Sequence, residues 1–122
     1  MATQIPLLSI SAYAGADLSA QLYRCVKLDA TSKAVLAGAS EAILGVLQTA
    51  EESGKAVSIE VAGTTKVIAG DTVAAGKQLQ VGTNGRVIEA DFGTTEAPLT
   101  PAVIGYSITG GAVDQKIEML IK

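Results

Sequence analysis

The stretch Ile43-Leu44-Gly45-Val46 returns sixty residues later as Val103-Ile104-Gly105-Tyr106. The same offset carries Val57, Ile59 and Val61 onto Ile117, Met119 and Ile121. In both copies an apolar triplet in strict alternation follows a strand with glycine at its third position, after a turn-rich connection. Upstream, Lys27–Leu36 resembles Gln78–Ile88, with one extra residue in the second turn. A solenoid needs about three stacked units or more, so two degenerate copies predict one body made by pairing similar halves. The expectation is an all-β fold, a compact β-sandwich or barrel-like domain. Its two pseudo-repeated halves are placed at about 22–63 and 73–122, within a single domain 21–122 that follows an N-terminal arm, residues 1–20.

The period-two pattern is cleanest at Val57/Ile59/Val61 against Ser58/Glu60 and at Ile117/Met119/Ile121 against Lys116/Glu118. It predicts that these six apolar side chains share one common core. Strands are expected near 21–28, 33–37, 43–48, 55–62, 64–69, 78–81, 86–90, 103–109 and 115–121, with an extended opening segment over 4–12. Turn chemistry separates them at Ser53-Gly54, Gly70-Asp71, Ala75-Gly76, Asn84-Gly85 and Gly110-Gly111. Asn-Gly supplies the positive φ angles that a tight hairpin requires. The Ala-rich segments 13–20 and 71–76 are compatible with short helical turns.

At 12.3 kDa, folding should reduce the accessible surface from roughly 18,000 to roughly 6,000 Å². With one Phe, three Tyr and no Trp, the core must come from Val, Ile, Leu and Ala. Aromatic side chains usually bury the largest areas, so this core is thin and a partner is expected to supplement it. A net charge of −3, with nine scattered Lys and Arg, gives no electrostatic footprint for nucleic acid or an anionic membrane. Residues 1–20 do not have the form of a signal peptide, and no apolar run approaches the length of a transmembrane helix.

Chemistry is excluded largely by composition. Without histidine there is no Ser-His-Asp or Cys-His arrangement and no histidine metal site. Cys25, the only cysteine, reads as a buried small apolar residue. The Glu51-Glu52 pair beside Ser53-Gly54 reads as a solvated turn. Gly70–Lys77 superficially resembles a phosphate-binding loop, but its spacing is one residue too long and Gln78 stands where Ser or Thr is required. No catalytic residue, metal ligand or cofactor is expected.

The halves differ at one connection. Fourteen residues, including Pro98 and Pro101, separate Ile88 from Val103, whereas six separate Leu36 from Ile43. A long loop that sets Phe92 and Leu99 among polar residues is a candidate contact loop. The opening arm likewise places Ile5, Leu7, Leu8 and Tyr13 among turn formers. These six residues are the predicted partner-binding set, on the expectation that arm and loop both lie outside the duplicated body.

Val67–Leu79 is similar to the Gly-Asp-x-Val-x-x-Gly stretch of biotinyl and lipoyl carrier domains, but no lysine here has the neighbours those domains need for modification. A carrier or carbohydrate-binding β-module is therefore the alternative reading. A broader resemblance covers nearly the whole chain. The order Ser11–Ser19, Val26–Ala30, Ile43–Gln48, Gly54–Val57, Val61–Gly63, Val67–Gly70, Ala75–Leu79, Gly85–Val87 and Val103–Tyr106 resembles the capsid cement or decoration proteins of tailed bacteriophages. The resemblance implies a non-enzymatic, all-β virion protein on the outer capsid surface. There it would brace junctions between subunits of the major capsid protein, as a homo-oligomer with a trimer favoured. The loop 89–102 departs from that pattern.

Overall fold

The computed structural model describes residues 6–121, with side chains from residue 8 onward. Among the described residues there are nine strands: β1 (Pro6–Tyr13), β2 (Cys25–Leu28), β3 (Ala34–Leu36), β4 (Gly45–Leu47), β5 (Ala56–Ile68), β6 (Gln78–Val81), β7 (Val87–Glu89), β8 (Gly105–Ser107) and β9 (Lys116–Ile121), with one turn of 3-10 helix at Thr83–Gly85. All ladder pairings are antiparallel. The fold is all-β and barrel-like. The Ala-rich segments 13–20 and 71–76 form turns and bridges rather than helix, because their N–H groups donate to distant carbonyls, Gly15 to Ala34, Leu18 to Glu51, Val73 to Gly111 and Gly76 to Ser107.

Two expected strands, 55–62 and 64–69, are a single strand, and this is the organising feature of the molecule. The first part of β5 pairs with β4 and β1, and the second part with β9. The change of partner falls at Gly63, whose φ of +96° favours glycine. The first half therefore runs β3-β2-β4-β5-β1 and the second runs β7-β6-β8-β9-β5. Each half curls until a single parallel bridge joins its outer strands, Ala14 to Ala34 and Ala69 to Val87.

Register makes the repeat quantitative. Val26 faces Gly45 as Leu79 faces Gly105, and Val57 faces Ala12 as Ile117 faces Val67. Thus β2 and β3 map onto β6 and β7 with an offset of 53, β4 and the first part of β5 onto β8 and β9 with 60, and β1 onto the second part of β5 with 55. Two sequence expectations are corrected. Leu79 corresponds to Val26 and not to Leu28, a slip of two that preserves which way side chains point, and the two turns are then equal in length. Residues 6–13 of the arm are not outside the duplicated body, because β1 occupies in the first half the place that β5 occupies in the second. Beyond the strands, Leu18 N–H donates to Glu51 O as Val73 N–H donates to Gly111 O (both 2.9 Å).

The six alternating apolar residues do not share one core. Val57 and Ile59, flanked by Val61, pack with Ala14, Leu18, Val26, Ala34 and Leu47. Ile117 and Met119, flanked by Ile121, pack with Val67, Val73, Leu79, Val81, Val87 and Ile104. Each half closes around its own interior, so equivalent residues end in separate clusters. Burying each of the larger aliphatics contributes roughly 1.5–3 kcal/mol. Cys25, Ala37 and Val46 belong to the second cluster although they are residues of the first half. They lie on the outer side of that half and seal the mouth of the other.

Candidate functional site: two exposed clefts

The predicted residues do not converge on one site. Ile5 lies outside the described residues, and so does the side chain of Leu7. Leu8 and Tyr13 are 55% and 63% exposed, Phe92 and Leu99 51% and 53%. Tyr13 lines one cleft and Phe92 another, while Leu99 borders a third with Pro101 and Gln80. Leu8 stands on β1, which pairs with β5 as a strand of the sheet.

The long loop is built as a small hairpin. Leu99 N–H donates to Phe92 O (2.9 Å), Thr94 N–H to Ala97 O (3.1 Å), and Gly93 bridges Pro98. Its root is fixed by Gln80, whose amide oxygen accepts from Asp91 N–H (2.8 Å) while its nitrogen donates to Ser40 Oγ (3.1 Å) in the first half. Structural equivalence makes this connection seven residues longer than its counterpart, since the offset is 53 before it and 60 after it. Backbone order thus accompanies exposed apolar side chains, as a presenting loop requires.

One cleft, of about 360 Å³, lies in the first half between β1 and the β2–β3 turn, lined by Ile10, Ala12, Tyr13, Leu28, Ser32 and Leu44. Leu28 is 43% exposed there. Asp29 shapes the turn at its rim: its Oδ1 accepts from Thr31 N–H (2.8 Å), Thr31 Oγ1–H (2.7 Å) and Lys33 N–H (3.1 Å). These bonds, that of the Thr31 side chain first, hold the Asp29 carboxyl below its ordinary range.

The other cleft, of about 420 Å³, lies in the second half among Gly76, Lys77, Gln78, Ala90, Phe92 and Tyr106. Tyr106 faces Leu120 across β8 and β9, and the two are 45% and 44% exposed. Sequence reading missed Ile10, Leu28, Leu44 and Tyr106. Their spacing identifies the sheet face they occupy, but equivalent positions elsewhere on these faces are buried.

The first cleft is mainly apolar, and the second mixes Phe92 and Tyr106 with the polar Lys77, Gln78 and Glu89. No cluster of three His, Cys, Asp or Glu that could hold a metal occurs among the described residues. Cys25 is buried as expected, and desolvation pushes its thiol up to about 12, far from nucleophilic use. The carboxylates Glu51 and Glu52 lie in the turn region ahead of β5.

No family model and no curated protein matches this chain. Among solved structures, the N base of head fiber gp8.5 of bacteriophage phi29 is similar, with a TM-score of 0.73 over 94% of this chain and 93% of that one, at 18% identity. At that identity the likeness shows a common fold.

Proposed function

We propose that this chain is a non-enzymatic structural protein of a phage head, which binds the outer surface of the assembled shell and stabilises junctions between major capsid subunits. The observation that carries the reading is the end-to-end match in fold to a head fiber base, joined to the ordered sequence resemblance to cement proteins. A ligand that binds only the assembled lattice stabilises it by RT ln(1 + [L]/Kd) per site, and many sites on one shell act together. A tightly hydrogen-bonded β-body suits this role because little backbone must be ordered on binding. Its mild net acidity favours solubility before assembly.

The surfaces proposed for the shell are the hairpin carrying Phe92 and Leu99, and the β1 edge carrying Leu8, with Ile5 and Leu7 added on their place in the sequence alone. Tyr13 completes the set at the end of β1. The deciding experiment is cosedimentation of purified protein with expanded and unexpanded shells. Saturable recovery with at least one shell form is expected, and Leu99→Ser should lower it without changing the denaturant midpoint. Equal trace recovery with both shells would remove the proposal. A second reading, favoured by the likeness to the N base of a head fiber, is a base that carries a projecting fibre. Electron microscopy of decorated shells distinguishes a flush cap from a pedestal.

A further inference from the structure

We propose that a second copy of this chain seats its Gln78–Tyr106 face in the Ile10–Leu28–Leu44 cleft of the first, repeating between molecules the contact that joins the two halves within one. The template is the internal joint. The outward side chains Cys25, Ala37 and Val46 of the first half are fully buried in the cluster formed by Val67, Val81 and Val87 of the second. Polar bonds surround that apolar centre. Ile68 N–H donates to Tyr23 O (3.0 Å), Ser40 N–H to Val81 O (2.9 Å), Arg24 Nη1 to Asn84 O (3.1 Å), and Gln48 Nε2 to Thr65 Oγ1 (2.8 Å). The approach is so close that a Cβ at Gly85 would stand 2.7 Å from Cys25 O.

Both sides of this joint exist a second time, uncovered by any described residue. The offsets that superpose the halves carry Tyr23, Arg24, Cys25, Ala37 and Val46 onto Gly76, Lys77, Gln78, Ala90 and Tyr106. These five line the exposed 420 Å³ cleft. The same offsets carry Thr65, Val67, Val81 and Ile104, all buried at the joint or beneath it, back onto Ile10, Ala12, Leu28 and Leu44. These four line the exposed 360 Å³ cleft. One half therefore keeps a free outer face and the other a free mouth.

Several substitutions between the two sets offset one another across the gap. Tyr106 is larger than Val46, and the mouth that would receive it is widened by Ala12 in place of Val67 and Ala34 in place of Val87. The hydrogen-bonded pair Gln48–Thr65 has as its counterpart the apolar pair Ile108–Ile10, and Ile108 is 44% exposed. Arg24, which reaches the second-half turn at Asn84, has Lys77 as its counterpart. Lys77 would face the equivalent turn at Thr31, beside the Asp29 carboxylate. Lys77 keeps the positive charge of Arg24 while the turn opposite gains the Asp29 carboxylate, and Gln78 stands where Cys25 is buried, so the contact between molecules is more polar than the internal joint. The contact joins different surfaces of the two molecules, so it closes as a ring or continues as a filament and does not make a two-fold dimer.

The test uses one variant for each side, Tyr106→Lys for the face and Leu28→Lys for the mouth. Both residues are about half exposed, so far-UV circular dichroism and denaturant midpoints should match the parent. Sedimentation velocity over a concentration series should show the parent assembling and each variant remaining monomeric. An equimolar mixture of the two keeps one intact face and one intact mouth, and should give a one-to-one heterodimer and nothing larger. A parent that stays monomeric throughout, single variants that assemble like the parent, or a mixture of folded variants that stays monomeric would each overturn the proposal. Assembly without cosedimentation would remove the shell-binding reading and leave this one standing, and the converse result would do the reverse.

Discussion

Val46 and Tyr106 occupy the same place in the two halves, yet the first is fully buried and the second is 45% exposed. Their strands have the same partners, the same register and the same preceding glycine. The difference comes from what lies over them: the second half covers Val46, and nothing within the described residues covers Tyr106. Local pattern sets which side of a sheet a residue occupies, and the next layer decides whether that side is core or surface. Four changes probe this comparison, taken from the largest expected effect to the smallest.

The separation of the two cores is tested by Ile59→Ala against Ile121→Ala. Ile59 is fully buried in the first cluster, while Ile121 only flanks the second and borders two surface clefts. Ile59→Ala should cost about 2–5 kcal/mol in chemical denaturation. Ile121→Ala should cost distinctly less, because part of its surface is already in water. Equal losses would mean that Ile121 is covered in solution, as the proposed self-association could arrange.

The close approach between β4 and β5 gives the next effect. A Cβ at Gly45 would stand 2.2 Å from Glu60 O and 2.8 Å from Ile59 Cγ2. At the equivalent Gly105 the nearest atom is the flexible Met119 Sδ at 2.5 Å, with Leu120 O at 2.6 Å. Both changes press a Cβ against ladder backbone, but the approach at Gly45 is the closer, so Gly45→Ala should cost about 1–3 kcal/mol or more. Gly105→Ala should cost less. The reversed order in thermal unfolding would show that β5 yields more readily than β9.

Glu60 and Leu120 invert the usual polarity of core and surface. The charged residue is 1% exposed and its apolar equivalent is 44% exposed. Glu60 Oε1 accepts from Ser9 Oγ (3.3 Å), and Oε2 has no partner among the described residues. An unsatisfied buried polar atom costs about 1–3 kcal/mol, more when charged. Glu60→Gln keeps the shape and removes the charge, and should raise the denaturant midpoint by the equivalent of about 1 kcal/mol. A lowered midpoint would reveal a cation paired with this carboxylate.

How far these features could be read from the chain differs between them. The alternating triplets and Gly turns placed most strands within a few residues, and Asn84 and Gly85 both take the positive φ expected of Asn-Gly. The union of 55–62 with 64–69 into β5 was hidden because Gly63 looks like a turn and acts as a bend. The register of β2 against β6 was misread by two residues because Leu28 and Leu79 look alike, while the strand pairing is set by Gly45 and Gly105. Phe92 and Leu99 were legible as exposed apolar groups in a long loop. Tyr106 was not, since alternation places it on the outer side of β8 just as it places Val46 on the outer side of β4.

The smallest effect compares the two turns at the mouths. In the first half Asp29 fixes the turn by accepting three hydrogen bonds, whereas its equivalent in the second is Gly82, and that turn relies on the positive φ of Asn84 and Gly85. The folded Asp29 carboxyl titrates below its ordinary value of 3.8, so its contribution is fully present above that pH and is lost as pH falls through the lowered value. Amide hydrogen exchange at Thr31 and Lys33 should therefore lose protection below pH 3.8 relative to Gly82 and Arg86, after correction for intrinsic rates. Asp29→Asn retains an oxygen acceptor without the charge and should flatten this dependence. If the two turns lose protection together, the acid response belongs to the whole body and the Asp29 bonds are not its source. A separate loosening at Asp29 would also weaken the proposed contact with Lys77 of a second copy, so self-association should fall over the same acidic interval in the parent and not in Asp29→Asn.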